Sequence, residues 1–327
     1  MKSILRTVRG VVGDDDEDGE RPVRTDGGTA SEGRTLPVSR EFLGALPFWL
    51  PPFLVVGLFV YGAIGWNALI SLTDLQAFND PNYANLDFEM YAQAFGDPAF
   101  ISALRNTFVL MLAFTVVCLV VGLGLALLLD QHIRFENTLR TIYLLPMSLS
   151  FVVTAQFWLW MYNYNDGMVN TVTTTLGLGR HHWITNPSLV LGAVVFALIW
   201  QFSGYAMVVY LAGLRAIPNE HFEAARVDGA STAKMYWRII IPQLKGATIS
   251  ATVVLMVFGL KAFDFIFSLT GSYYPPKGSD ILATMMIRQA FAQNHRAYAA
   301  AIGIMLFLLA LAIVAPYLVY QYRRGEL

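Results

Sequence analysis

Charge is scarce in this chain. Only 14% of its 327 residues are Asp, Glu, Lys or Arg, about half the usual share of a soluble domain, while 56% are apolar. A soluble fold of this size would have too little polar surface to face water. Charge of one sign is lacking as well. The 22 Lys and Arg stand against 23 Asp and Glu, a net charge of -1, so no basic field attracts nucleic acid. Cys118 is the single cysteine, which excludes an internal disulfide framework and any cysteine-based zinc cluster. None of the five lysines follows a glycine. The Gly-Lys step of a phosphate-cradling Walker A loop is therefore missing, and the chain is expected to be no enzyme.

What is present is a series of long charge-free runs. They cover 42–73, 106–129, 141–165, 181–214 and 297–322, and a weaker sixth at about 246–270 is interrupted by Lys261 and Asp264. A helix needs roughly 20 mostly apolar residues to cross a ~30 Å hydrocarbon layer. The runs are continuous, whereas a membrane barrel would show alternating segments of ~10 residues. The expected fold class is all-α, a polytopic membrane protein with six transmembrane helices over 42–327.

Orientation follows from the cations. With a cytoplasmic N-terminus, seven Lys/Arg precede the first span, the inner loops carry two and then five, and the tail carries two, giving 16 inside. The outer loops hold four, Arg180, Lys277, Arg288 and Arg296. Cytoplasmic loops are the Lys/Arg-rich ones, so both termini are expected in the cytoplasm of a multi-pass protein of the cell membrane. Residues 1–41 contain Asp14-Asp15-Asp16-Glu17-Asp18 followed by Gly, Pro, Ser and Thr, and read as a disordered acidic cytoplasmic tail. No apolar core follows its basic start within 30 residues, so no signal peptide is expected there.

The loop at 215–245 has more pattern than a connector requires. Pro218, Asn219 and Glu220 suit a first helical turn, and the short helix runs to about Asp228. Gly229 permits a sharp turn, Ser231 or Thr232 can cap a second helix, and Pro242 marks the start of the fifth span. The first helix has about ten residues, too few to be stable alone in water, so it rests on something else.

Glu223-Ala224-Ala225, three residues, Gly229, nine residues, then Ile239-x-Ile241-Pro242 resembles the EAA motif of binding-protein-dependent ABC importer permeases, with Ile241 in place of Leu. Further stretches resemble the sugar-type permeases of the maltose and glycerol-3-phosphate systems. They are Leu104-Arg105-Asn106-Thr107, Leu145-Pro146, Trp183-Ile184-Thr185-Asn186-Pro187, Phe263-Asp264 and Leu269-Thr270-Gly271. The resemblance covers about 45–324 and, without a long outer insertion, lies closer to the glycerol-3-phosphate type. It implies the type I importer permease fold and makes the short helix a coupling helix seated on an ATPase. Its candidate residues are Phe222 as an apolar anchor, Glu223 as a charge partner, Ala224 and Ala225 for close approach, and Asp228, Gly229 and Pro242 for shape. The implied partners are a second permease, two ATP-binding cassette ATPase subunits, an extracytoplasmic solute-binding protein and the bilayer. ATP and magnesium would belong to the ATPases, with no cofactor in this chain. The implied cargo is a sugar or sugar derivative, with another small solute such as a polyamine or phosphate as the alternative. A secondary transporter also uses broken helices and intramembrane charges, but does not explain the Glu-Ala-Ala loop.

Within the spans, Lys261 and Asp264 lie three apart, close enough on one helix to offset each other. Gln201, Phe202 and Tyr205 combine aromatic faces with hydrogen-bonding groups. The resemblance places them with Phe258, Gly259 and Ala262 along the substrate path, and the intramembrane Asp264 is expected either to border that path or to brace neighbouring helices near the outer surface. Trp49, Trp66, Trp158, Trp160, Tyr162, Tyr317 and Tyr320 fall near span ends, as interfacial belts do. Of His132, His181, His182, His221 and His295 only His181 and His182 are adjacent, with no carboxylate cluster beside them, so no metal site is expected. No set of nucleophile, base and orienting group emerges for catalysis.

Overall fold

The computed structural model describes residues 40–77, 79–131 and 134–324. The acidic run and nearly all of the expected tail lie outside them, although Arg40 and Glu41 already belong to a helix. Two compact units divide the chain, Met1–Val55 and Val56–Leu327. In the first, α1 (Arg40–Val56) carries Phe48 and Phe53 exposed on its surface, with Trp49 edge-on to Phe53 at 5.8 Å.

In the second unit a π-helical turn, Gly57–Tyr61, leads to α2 (Gly62–Ile70), α3 (Glu89–Gly96) and α4 (Pro98–Leu129). Asp97 caps α4 by accepting the Ala99 N–H at 2.8 Å, and Pro98 sits where a missing N–H costs nothing. At 32 residues this helix is about 48 Å long, more than a bilayer core. Its sequence is apolar all round, yet Leu110, Phe114, Cys118, Gly122 and Ala126 form a buried ridge at four-residue spacing. That ridge packs on α8 (Val190–Arg215), the principal helix pair of the fold, with α5 (Glu136–Leu144), α6 (Phe151–Met161) and α7 (Met168–Thr175) between them in sequence. A Cβ on Gly122 would collide with the Cβ of Ala206, so the glycine sets how closely α4 and α8 approach. Small residues do this work in membranes, where apolar surface alone gives no drive for helices to associate.

The chain continues through α9 (Asn219–Val227), α10 (Thr232–Met235), α11 (Ile241–Gln243), α12 (Lys245–Leu260), α13 (Phe263–Thr270), α14 (Leu282–Ile287) and α15 (Arg296–Arg324). No strand occurs among the described residues, as the all-α expectation requires. Among them, Gly44–Ile70, Pro98–Leu129, Val190–Arg215 and Arg296–Arg323 are long and apolar enough to cross a membrane. Counting each of two bent pairs as one span raises four to as many as six.

Both bent pairs correct the simple picture of rods. The expected third span turns by 100° between Glu136–Ser148 and Phe151–Met161. Pro146 lies in the 3-10 turn Leu145–Ser148 and cannot continue an α-helix. Ser150 restarts the helix, its Oγ accepting the Val153 N–H at 3.3 Å. A carbonyl freed at such a break needs a partner in the absence of water, and the Gln201 amide donates to Leu149 O at 2.9 Å. Gly204 lets the same segment cross α8, since a Cβ there would strike Tyr143 O.

The expected fifth span, 246–270, is entered through a bend of 64° between Thr232–Gln243 and Lys245–Leu260 and is itself broken before α13. This overturns the expectation for Lys261 and Asp264. Lys261 is the C-cap of α12 and Asp264 lies in the first turn of α13, so they do not share a helix. Both are exposed, and no ion pair joins them among the described residues.

Candidate functional site

The loop between α8 and α12 is built on a closed helix terminus. Pro218 has extended backbone, φ -58° and ψ 140°, and starts α9. At the other end the Gly229 N–H donates to Arg226 O at 3.1 Å and the Ala230 N–H to Ala225 O at 3.0 Å. These two bonds, with Gly229 at φ +68°, make a Schellman motif. The spacing from Ala225 to Gly229 is thus the distance from the third-last helical position to the left-handed residue that ends the helix. Nothing would obstruct a Cβ on Gly229, so its backbone conformation alone selects glycine.

Ala225 is buried against the chain's own cluster of Leu129, Met207, Tyr210, Leu214, Ile240 and Leu244. Phe222 is half-buried on the same side, its ring 6.3 Å from Tyr236. Ala225 is not offered outward, and Phe222 is offered only in part, into the cleft beside α9. All other residues of α9 are exposed, and among them Glu220, Glu223, Ala224 and Val227 form a stripe at i, i+3, i+4 and i+7. Val227 is 87% exposed, an apolar side chain that sequence reading missed. Its signal was present in the sequence, because a residue seven beyond Glu220 must share its face.

A polar cleft of about 820 Å³ lies beside α9, lined by Asp130, Glu136, Arg215, Glu223, Arg226 and Tyr236 among others. Arg215, in the last turn of α8, pairs with Glu136 in the first turn of α5. Gln131 Nε2 donates to the Tyr236 hydroxyl at 2.9 Å, and that hydroxyl donates to Asp130 Oδ2 at 3.3 Å. The end of α4, the start of α5 and the loop are therefore tied together around α9. Pro242 is exposed in α11, next to the bend at Leu244, which is itself buried.

The expected path residues separate into two groups. Phe202 and Phe258 meet at 4.7 Å, and Phe114 and Phe151 close the cluster around Phe202. Ala262 is fully buried, and a Cβ on Gly259 would come within 3.3 Å of Met111 Cα, where α12 approaches α4. Gln201 is 2% exposed, with its amide nitrogen committed to Leu149. These residues form core in this conformation. Tyr205 is half-buried and Asp264 exposed. Sequence reading missed Gln156, exposed on α6, whose Nε2 donates to Ser268 O at 2.8 Å and so links α6 to α13.

The stretch Arg105-Asn106-Thr107 has a structural reason. Asn106 Nδ2 donates to Lys277 O at 3.0 Å and Asp280 O at 2.9 Å, while the Thr107 hydroxyl accepts the Leu282 N–H at 2.9 Å. The same segment is locked by Arg288, whose guanidinium forks onto the Asp280 carboxylate at 3.1 and 2.8 Å.

Residues 118–324 match the family described as "Binding-protein-dependent transport system inner membrane component". The chain is 57% identical over 290 residues to the xylose/arabinose import permease protein XacH of Haloferax volcanii, covering 89% of this chain and 92% of that protein. The trehalose/maltose transport system permease protein MalF of Thermococcus litoralis is 32% identical over 206 residues, 63% of this chain and 69% of its own. In fold, the chain is similar to a chain in the crystal structure of a bacterial alginate ABC transporter in complex with alginate pentasaccharide-bound periplasmic protein. The TM-score is 0.74 at 23% identity, over 88% of this chain and 98% of that one. The bent helices, the Schellman-closed loop and the matched family together give one conclusion: this chain belongs to the inner membrane components of binding-protein-dependent transport systems, and it is a permease subunit of an ABC importer.

Proposed function

We propose that the chain forms one wall of a sugar pathway through the membrane, with a second permease as the other wall. Two ATP-binding cassette subunits drive it, and an extracytoplasmic binding protein delivers the sugar. Pentoses are the first candidates, because the relative that shares 57% of its residues along nearly its whole length is named for xylose and arabinose import. ATP and magnesium belong to the ATPase subunits. Both termini and α9 face the cytoplasm, as the excess of Lys and Arg on that side supports.

The observation that carries the coupling role is the division of α9 into two faces. Ala225 and Phe222 are held by the permease, leaving Glu220, Glu223, Ala224 and Val227 for a partner. Coupling requires one element that both sites bias. A helix fixed on one side to α4, α8 and the start of α12 through their shared cluster, and on the other to an ATPase, meets that requirement. Gly229 and Pro242 shape the loop, and Asp228 ends the helix. Along the path, the exposed Asp264 and half-buried Tyr205 offer groups to a sugar directly, while Gln201, Phe202, Phe258, Gly259 and Ala262 hold the broken spans behind them. Reconstitution with the ATPases, second permease and binding protein tests the reading. ATP-dependent uptake of labelled xylose or arabinose is expected. Uptake driven by an ion gradient with the ATPase subunits omitted would overturn it in favour of a secondary transporter.

A further inference from the structure

An apolar trough runs along the α9 end of α4, apart from the coupling face. Two adjoining cavities of about 670 and 770 Å³ share Gly124, Leu127, Ala233 and Tyr236. Their floor extends from Val120 to Leu128, about 12 Å along the helix. A Cβ on Gly124 would meet nothing within 4 Å, so the glycine leaves the trough open. At one edge stand Lys234, Trp237 and Arg238, all exposed and lining the same cavity, Trp237 by 73%. No Asp or Glu lines either cavity, and neither cation has an ion pair among the described residues.

We propose that this trough is a binding site for an anionic phospholipid, with an acyl chain along Val120, Gly124 and Leu127 and the headgroup phosphate on Lys234 and Arg238. Three features argue for a lipid over a protein helix. The floor is apolar, the edge carries two uncompensated cations, and the tryptophan beside them is the side chain most at home where acyl chains meet headgroups. Basic pockets between membrane helices on the cytoplasmic side suit anionic headgroups, since that leaflet is negatively charged. The site takes its orientation from the proposed topology and is independent of which solute is carried.

The assembled importer, in bilayer discs of phosphatidylglycerol and phosphatidylcholine in equal amounts, carries the test. A photoreactive residue replacing Val120, an exposed side chain lining the same cavity, is expected to cross-link mainly to phosphatidylglycerol. K234Q/R238Q should reduce that product at least tenfold while leaving the phosphatidylcholine product unchanged. Without the photoprobe, Gly124→Leu should lower the number of retained lipids of both kinds in native mass spectra, with subunit stoichiometry intact. Equal labelling of the two lipids, or a phosphatidylglycerol preference that survives K234Q/R238Q, would overturn the proposal. A cross-link from position 120 to a second permease would also do so, by placing protein in the trough.

Discussion

The N–H of Ala230 donates to the carbonyl of Ala225 across 3.0 Å, and this bond closes the end of α9. It holds the buried methyl of Ala225 in the cluster that joins the ends of α4 and α8, and it obliges Gly229 to turn left-handed. The motif that looks like a surface for a partner is thus half a device for fastening the helix to the membrane domain.

Gly229→Val should therefore act through the backbone alone. A β-branched residue at φ +68° costs on the order of 1–3 kcal/mol, and no side-chain clash adds to it. ATPase association and uptake should fall together, with membrane insertion unchanged. Gly229→Asn, which tolerates the left-handed region, should restore most of the association in pull-down of the complex.

The two faces of α9 should respond differently. Ala225→Leu overpacks a buried site and is expected to lower the thermal stability of the isolated permease by about 1–3 kcal/mol. Glu223→Lys and Val227→Asp alter exposed groups, so permease stability should stay within about 0.5 kcal/mol while substrate-stimulated ATP hydrolysis declines. Equal loss of stability in both sets would show that the faces are not distinct.

Lys261 and Asp264 should behave independently. They belong to different helices and form no ion pair among the described residues, so losses from Lys261→Met and Asp264→Ala are expected to add within about 0.5 kcal/mol in a double-mutant cycle of thermal unfolding. Recovery in the double variant would mean that the charges meet after all. Impaired uptake with normal assembly in Asp264→Ala would support its place on the sugar path.

The Arg288 fork should be costly to break. Arg288 is 7% exposed, and Asp280→Asn leaves its guanidinium without a counter-charge, a loss of at most about 3–5 kcal/mol. Thermal unfolding of the purified complex, compared with Asn106→Ala, checks it. The Asn106 change removes bonds to Lys277 and Asp280 carbonyls and should cost less, about 1–3 kcal/mol.

Much of this architecture was legible from residues. The charge-free runs mark the long helices, and the positions of Pro218, Asp228 and Gly229 locate α9 to within a residue. What the sequence hides is direction. In a chain apolar on every side, no periodicity reveals which side of α4 meets α8, and the ridge through Gly122 becomes visible only in the packing. Pro146 signals a break but not its angle, because the 100° turn depends on Ser150 restarting the helix and on Gln201 reaching the Leu149 carbonyl from another span. The apolar side chain of Phe222 suggests an anchor for a partner but not its tie to the permease, where its ring meets Tyr236, fourteen positions further along the chain.

The central claim is that α9 presents one face to an ATPase and keeps the other for its own permease. A cysteine scan of positions 219–229, in a chain whose buried Cys118 has been replaced, tests it most directly in the assembled importer by cross-linking to the ATPase subunit. Strong products at 220, 223, 224 and 227, with little at 222 and 225, are the predicted result. Products at 222 and 225, or labelling of 223 and 227 from outside the cell, would contradict it.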